Sequence, residues 1–285
     1  MVRQEKRKIL CKKRKNNRII ACSENVDGKE KQRKMQCEKN AGLDNYKLSV
    51  IIYANNETDS LKKTITQMVE GLQTQYELII YLKNENCPAA KTLREITALH
   101  PDWNIVCVHQ NGSDILESTF KLMLQRCSGT HCIVWTADNE IAVSSLLSIV
   151  EISLKKRDAL VCAAKFYKNN SMKGYGVARM LVRKATNFLV CILYRKKGKD
   201  FFSIYQVFPR NFLNEMRFSA AKNFVYESTL VPLKLNKEYI EIPTDFQKRE
   251  GGKSNFSYRF YLKVTGMYIY NVLKIWLTPK RKLLK

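Results

Sequence analysis

Four short apolar runs, KLSVIIYA (47–54), YELIIYL (76–82), WNIVCVH (103–109) and HCIVWTA (131–137), alternate with segments of helical spacing. This alternation constrains the fold more than any other feature of the chain. After the first run, Leu61, Ile65, Met68 and Val69 recur three and four residues apart, which predicts a helix over 58–72. AAKTLREITALH, ILESTFKLMLQRC and VSSLLSIVEISLKK follow the other three runs in the same way. Strands separated by helices of this length predict an α/β domain with a largely parallel central sheet and helices on both faces. In such sheets ligands bind at the carboxyl ends of the strands. The stretch VWTADNEI (134–141) lies at one of those ends, with the carboxylates Asp138 and Glu140 two residues apart.

A chain of 285 residues is long enough for one large domain with appendages. Its net charge of +24 implies an anionic partner: a phosphate-rich substrate, an acidic membrane surface or nucleic acid. Nucleic acid is the weakest of these, since no recognition module with stacking aromatic positions is present. The nine cysteines are odd in number and scattered, the pattern of reduced intracellular thiols. Cys127 and Cys132 flank His131, but neither His100 nor His109 is spaced to complete a zinc site, so a helix end and a strand start are the reading there. Residues 1–45 are rich in Lys and Arg, lack the apolar core of a signal peptide, and read as a flexible basic tail. The expected location is the cytosolic side of the cell.

Neither G-x-G-x-x-G after the first strand nor G-x-x-x-x-G-K-[ST] occurs, so dinucleotide-cofactor and P-loop chemistry are unsupported. By themselves the residues at 136–140 leave two readings open. Asp138 is either a metal ligand or the N-cap of the helix that follows. Glu57 is open in the same way to a place in the first turn of helix 58–71, and Arg179, Arg183 and Lys184 to the solvated face of a helix whose Val182, Ala185 and Leu189 point inward.

In order, four stretches resemble the family-2 glycosyltransferases, and within them the polyprenyl-phosphate, dolichol-phosphate mannose synthase-like branch. They are SVIIYANNETDSL, IVWTADNE, AAKFYKNNSMKGYGVARMLVRKATNFL and EIPTDFQKREGGKSNFS, and they span about 47–257. The resemblance implies a GT-A-type nucleotide-sugar-binding fold and a hexosyltransferase-like enzyme that moves a sugar from a nucleotide-sugar donor to a lipid-phosphate acceptor. Asp138 and Glu140 would be the catalytic pair and would hold Mg²⁺ or Mn²⁺. Asn56, Glu57 and Lys83 would contact the donor. Lys165, Arg179, Gln206, Arg249, Lys253 and Ser254 would hold phosphate or acceptor, with Gly251 and Gly252 letting backbone N–H groups approach a phosphate. The chain departs from the family pattern at three places: Lys83 stands where the second strand usually ends in a carboxylate, Thr136 replaces the first aspartate of the catalytic strand, and Gln206 replaces a basic residue. A catalytically inactive binding or partner subunit is therefore the alternative.

From Tyr258 the sequence FYLKVTGMYIYNVLKIWLTPKRKLLK is apolar but interrupted by Lys263 and Lys274, short of the ~20 apolar residues a span needs. It predicts an amphipathic helix over 258–285 lying in the membrane interface, with Tyr268, Tyr270 and Trp276 at headgroup depth and the terminal KRK cluster at anionic lipid. A terminal helix packed on the domain is the other reading.

Overall fold

Alternate residues of the first strand run face opposite ways, and both sets are apolar. Val50 and Ile52 pack into one buried cluster while Ile51 packs into another on the far side of the sheet. A strand buried on both faces has to lie inside a sheet covered by helices on each side. The computed structural model describes residues 45–109, 124–165, 177–219, 224–245 and 258–285, and shows such a sheet. The elements run β1 (Lys47–Ala54), α1 (Asp59–Gly71), β2 (Gln75–Leu82), α2 (Pro88–Leu99), β3 (Ile105–His109), β4 (His131–Thr136), α3 (Val143–Lys155), β5 (Leu160–Ala164), α4 (Val177–Tyr194), β6 (Gln206–Pro209), α5 (Phe212–Glu215), α6 (Phe224–Lys234), β7 (Tyr239–Pro243) and α7 (Tyr258–Leu277). Most of the helix expected over 115–127 and nearly all of the basic tail lie outside the described residues.

The seven strands stand in the order β3-β2-β1-β4-β6-β5-β7. All neighbouring pairs are parallel except those that β6 makes with β4 and β5. Because β6 is antiparallel to both, β4, β5 and β7 point the same way as β1. The register sets Ala54 beside Leu82 and Tyr53 beside Thr136, so β1, β2 and β4 end level with one another.

The amino-terminal ends of the same strands are closed by a buried carboxylate. Glu77 accepts hydrogen bonds from the Ser49 hydroxyl, from the Ser128 N–H (2.7 Å) and hydroxyl (2.7 Å) and from the Gly129 N–H (3.2 Å), with Lys47 Nζ 3.6 Å away. Burial pushes this carboxyl up, but the hydrogen bonds and the lysine outweigh it and leave Glu77 below the usual carboxylate range. A Cβ on Gly129 would sit 2.6 Å from the Lys47 carbonyl oxygen, so only glycine allows the turn into β4 to lie this close to β1.

A second apolar cluster is built by α4, α6 and α7 with the loop before β6, including Val190, Tyr194, Phe201, Leu230, Val272 and Ile275. The C-terminal helix thus packs on the domain along one side, and the Tyr194 hydroxyl donates to the Val272 carbonyl (3.0 Å). On α4 the inward residues are Thr186, Asn187, Val190 and Tyr194, while Ala185 is exposed. This corrects the expected inward place of Ala185, while Leu189 packs against the cluster as expected and Val182 is half-buried. The helix carries apolar residues on two faces, so periodicity alone does not choose between them, and Asn187 is turned inward because its Oδ1 accepts the Phe201 N–H (2.9 Å).

Candidate functional site

Since β1, β2 and β4 end level, the residues that follow them emerge together at the carboxyl edge of the sheet: Asn55–Glu57 after β1, Lys83 after β2 and Ala137–Glu140 after β4. Lys165 follows β5 at the same edge, and Gln206 opens the antiparallel β6 there. The six sequence-predicted positions that are described and follow a strand therefore share one edge, as the parallel topology requires; Gln206 shares it by starting a strand that runs the other way.

Beyond Thr136 the strand stops because Asn139 takes a left-handed backbone, φ 55°, a conformation that Asn tolerates better than most residues. The Asp138 Oδ1 accepts the Glu140 N–H (3.3 Å), closing an Asx-type turn, and also accepts the Thr136 hydroxyl (2.6 Å). Asn139 is tied to α1 by a hydrogen bond from the Thr64 hydroxyl (3.1 Å). The N-cap reading of Asp138 is corrected by this geometry: α3 begins at Val143, its N-cap residue is Ala142, and no side chain caps it. Asp138 shapes a turn that presents carboxylates. Glu57 likewise lies before α1 rather than in its first turn, and its carboxylate accepts the Asn55 N–H (2.7 Å), folding the loop after β1 back on itself.

Tyr205, which the sequence reading passed over, joins the pieces. Its hydroxyl lies 2.8 Å from the Thr136 hydroxyl and donates to Glu140 Oε2 (3.5 Å), and its ring is set edge-on to Trp135. Lys165 Nζ stands 4.7 Å from the centre of that ring. Behind it Asp200 is fully buried, its Oδ2 accepting the Lys165 N–H (3.2 Å). Glu241 fixes the Asp200 backbone by accepting its N–H (2.7 Å) and that of Lys199. Burial pushes Lys165 down and Asp200 up; the Lys165 shift is opposed by Asp200 and Glu140, the Asp200 shift by Arg183 and Lys165. Arg183 is not on a solvated face: it donates to the Phe202 carbonyl (2.7 Å) and lies over the rings of Phe202 and Tyr268. The one signal for Tyr205 and Asp200 in the sequence is their place in KDFFSIYQ, where an isolated acid and a tyrosine sit in an apolar run.

Other predicted positions divide plainly. Asn56 and Lys83 are exposed at the edge. Gln206 is buried, its amide donating to Ser228 Oγ (3.2 Å) and accepting from the Thr229 hydroxyl (3.0 Å), which fastens β6 to α6. Arg179 lies in the first turn of α4, its side chain outside the described ones. Arg249, Lys253 and Ser254, with Gly251 and Gly252, lie outside the described residues.

Asp138, Glu140 and the Thr136 hydroxyl supply hard oxygen donors suited to Mg²⁺ or Mn²⁺. Among the described residues no three His, Cys, Asp or Glu side chains gather at one point.

No protein-family model matches the sequence, and no curated protein matches it. Solved structures do match. Glucosyl-3-phosphoglycerate synthase from Mycobacterium tuberculosis, in complex with Mn²⁺, uridine diphosphate and glucosyl-3-phosphoglycerate, is 16% identical, with a TM-score of 0.55 over 85% of this chain and 84% of that one. The same enzyme without these ligands in its description gives 17% and 0.56 over 85% of each chain. A structure described as a mycobacterial protein gives 16% and 0.54, covering 85% of this chain and 78% of its own. At such low identity the likeness speaks to architecture: this chain has the GT-A fold, a mostly parallel seven-stranded sheet flanked by helices.

Proposed function

We propose that the chain is a cation-dependent glycosyltransferase that takes a sugar from a nucleotide-sugar donor and places it on a phosphate-bearing acceptor, a polyprenyl-phosphate lipid at the cytosolic face of a membrane. The observation that carries this reading is the Asp138–Glu140 turn at the carboxyl edge of a GT-A sheet, with Lys165 and Lys83 beside it. The related structures support the donor half of it, since the M. tuberculosis enzyme is described with Mn²⁺, UDP-glucose and phosphoglyceric acid. A divalent cation at Asp138 and Glu140 would neutralise charge on the leaving nucleoside diphosphate.

The protein's own residues have two tasks in this scheme. Lys83 and Lys165 offset diphosphate charge, and the Arg and Lys residues of 249–254 hold the acceptor phosphate. A phosphate oxygen of the acceptor forms the new bond to the anomeric carbon. The bond from that carbon to the diphosphate breaks, and its electron pair leaves with the diphosphate. The acceptor is already an anion at neutral pH, so no general base is needed.

Titration calorimetry of a panel of nucleotide-sugars with and without Mn²⁺, followed by transfer assays to a short-chain polyprenyl phosphate, tests the reading. Cation-dependent binding of one donor and transfer to the lipid phosphate are expected. A second reading has its own observation: Thr136 replaces a carboxylate, and its hydroxyl is engaged with Asp138 and Tyr205. Nucleotide that binds equally well in chelator, with no transfer from any donor, would establish an inactive binding subunit instead.

A further inference from the structure

Apolar surface is not spread evenly over this molecule. Of the eleven large hydrophobic side chains exposed among the described residues, eight lie on two helices: Leu181, Phe188 and Ile192 on α4, and Ile269, Tyr270, Leu273, Trp276 and Leu277 on α7. On α4 they recur at spacings of seven and four, and on α7 at three, four and seven, so they form one stripe per helix. The opposite faces of the two helices, with Val190 and Tyr194 on α4 and Val272 and Ile275 on α7, pack into the same buried cluster. The helices also touch directly, through the Tyr194–Val272 hydrogen bond. Two adjacent helices that share an inner face turn their outer stripes away from the same core. Phe188 is 66% exposed and Leu277 70%, values that a packed terminal helix does not need.

Cations frame the stripes. Lys184 lies between Leu181 and Phe188, Arg195 and Lys197 follow α4, Lys274 lies on α7, and Lys280, Arg281 and Lys282 follow it, all exposed. Neither helix contains an Asp or Glu. Among the described residues no helix is long and apolar enough to cross a membrane. We propose that α4 and α7 together form a two-helix platform that lies in the surface of an anionic lipid bilayer, with α4 as much a part of the contact as the C-terminal helix. Apolar stripes bordered by Lys and Arg match acyl chains bordered by acidic headgroups. A second copy of the chain is a poor match, because it would set these cations against their own counterparts.

The platform rests on the membrane part of the proposed function and is independent of sugar transfer. It is tested with the full chain, without donor or added cation, on vesicles of phosphatidylcholine with and without phosphatidylserine. Salt sufficient to screen the basic tail keeps non-specific attraction low. Phe188→Ser/Ile192→Ser and Trp276→Ser/Leu277→Ser should each weaken partitioning to the anionic vesicles by about tenfold or more, with Leu99→Ser on α2 as an exposed apolar control that leaves it unchanged. Thermal melting identifies any variant that has lost its fold. Phe188→Trp, which keeps an aromatic at the site, should gain tryptophan emission that lipids brominated on their acyl chains quench. Binding of Phe188→Ser/Ile192→Ser equal to that of the parent chain would overturn the proposal, as would vesicle binding with no quenching at position 188. A concentration-dependent dimer in light scattering that Phe188→Ser dissolves would give the face to a second copy instead. Vesicle binding that follows these expectations in a chain that transfers no sugar keeps the platform and removes the enzyme.

Discussion

The two ends of the sheet carry carboxylates in opposite circumstances. At the amino end Glu77 is buried and closed in by two hydroxyls, two backbone N–H groups and a lysine. At the carboxyl end Asp138 is half-buried in a turn held by Thr136 and the Glu140 N–H, and the buried Glu140 carboxylate accepts a long bond from the Tyr205 hydroxyl. One end uses charge to fasten the chain; the other, in the function proposed above, offers it to a cation and a diphosphate. On that proposal stability and chemistry are separated along the length of the same three strands.

The largest effect is expected where the fastening is removed. Glu77→Gln keeps the shape but loses the charge-assisted acceptor, and should lower unfolding free energy by about 3 kcal/mol in urea titrations at neutral pH. The pH dependence has a definite sign. Because the native carboxyl titrates below its ordinary value of 4.5, its contribution is fully present above that value and is lost as pH falls through the lower native one. The parent chain should therefore lose stability in that acid window more steeply than Glu77→Gln. Equal acid limbs would show that Glu77 is not the fastener.

Asp138→Asn tests the other end. Cation-dependent nucleotide affinity, measured by calorimetry, should fall by about a hundredfold, with little change in melting temperature. A large loss of stability with binding intact would make the two ends alike and the contrast false.

Smaller effects sharpen the boundary. Tyr205→Phe removes the hydroxyl between Thr136 and Glu140 and should cost about 1 kcal/mol of stability while changing the apparent Mn²⁺ affinity in the presence of nucleoside diphosphate. Asn139→Ala loses the bond from Thr64 and strains the left-handed backbone, and should cost about 1 kcal/mol more than Asn139→Gly, which loses the same bond without the strain, in the same melts.

Much of this arrangement was legible in the sequence. Four strands and their common carboxyl edge were readable because β-branched runs and parallel topology leave few alternatives, and the place of Asp138 and Glu140 at that edge was readable because they follow such a run. What stayed hidden depended on contacts distant in the chain. Tyr205 reaches Thr136 across 69 residues, and the Ser128 N–H reaches Glu77 across 51. Arg183 looked solvated because one helical face carries Lys184, yet burial against Phe202 and Tyr268 gives it an inward place. The exposed stripe on α4 was hidden for the same reason, since periodicity reports that a face is apolar and not which medium it meets.

The turn at Gly129 bears on how such a chain can change over generations. With no Cβ it seats β4 against β1 from the end remote from the turn that holds Asp138, so the alignment of the strands does not depend on which side chains follow them. Side-chain replacements at the carboxyl edge, at positions such as 136 or 83, then leave the scaffold in register. Gly129 enjoys no such freedom: any larger residue there must push apart two paired strands. Inherited variation is expected to be tolerated at the carboxyl edge and to be purged at Gly129.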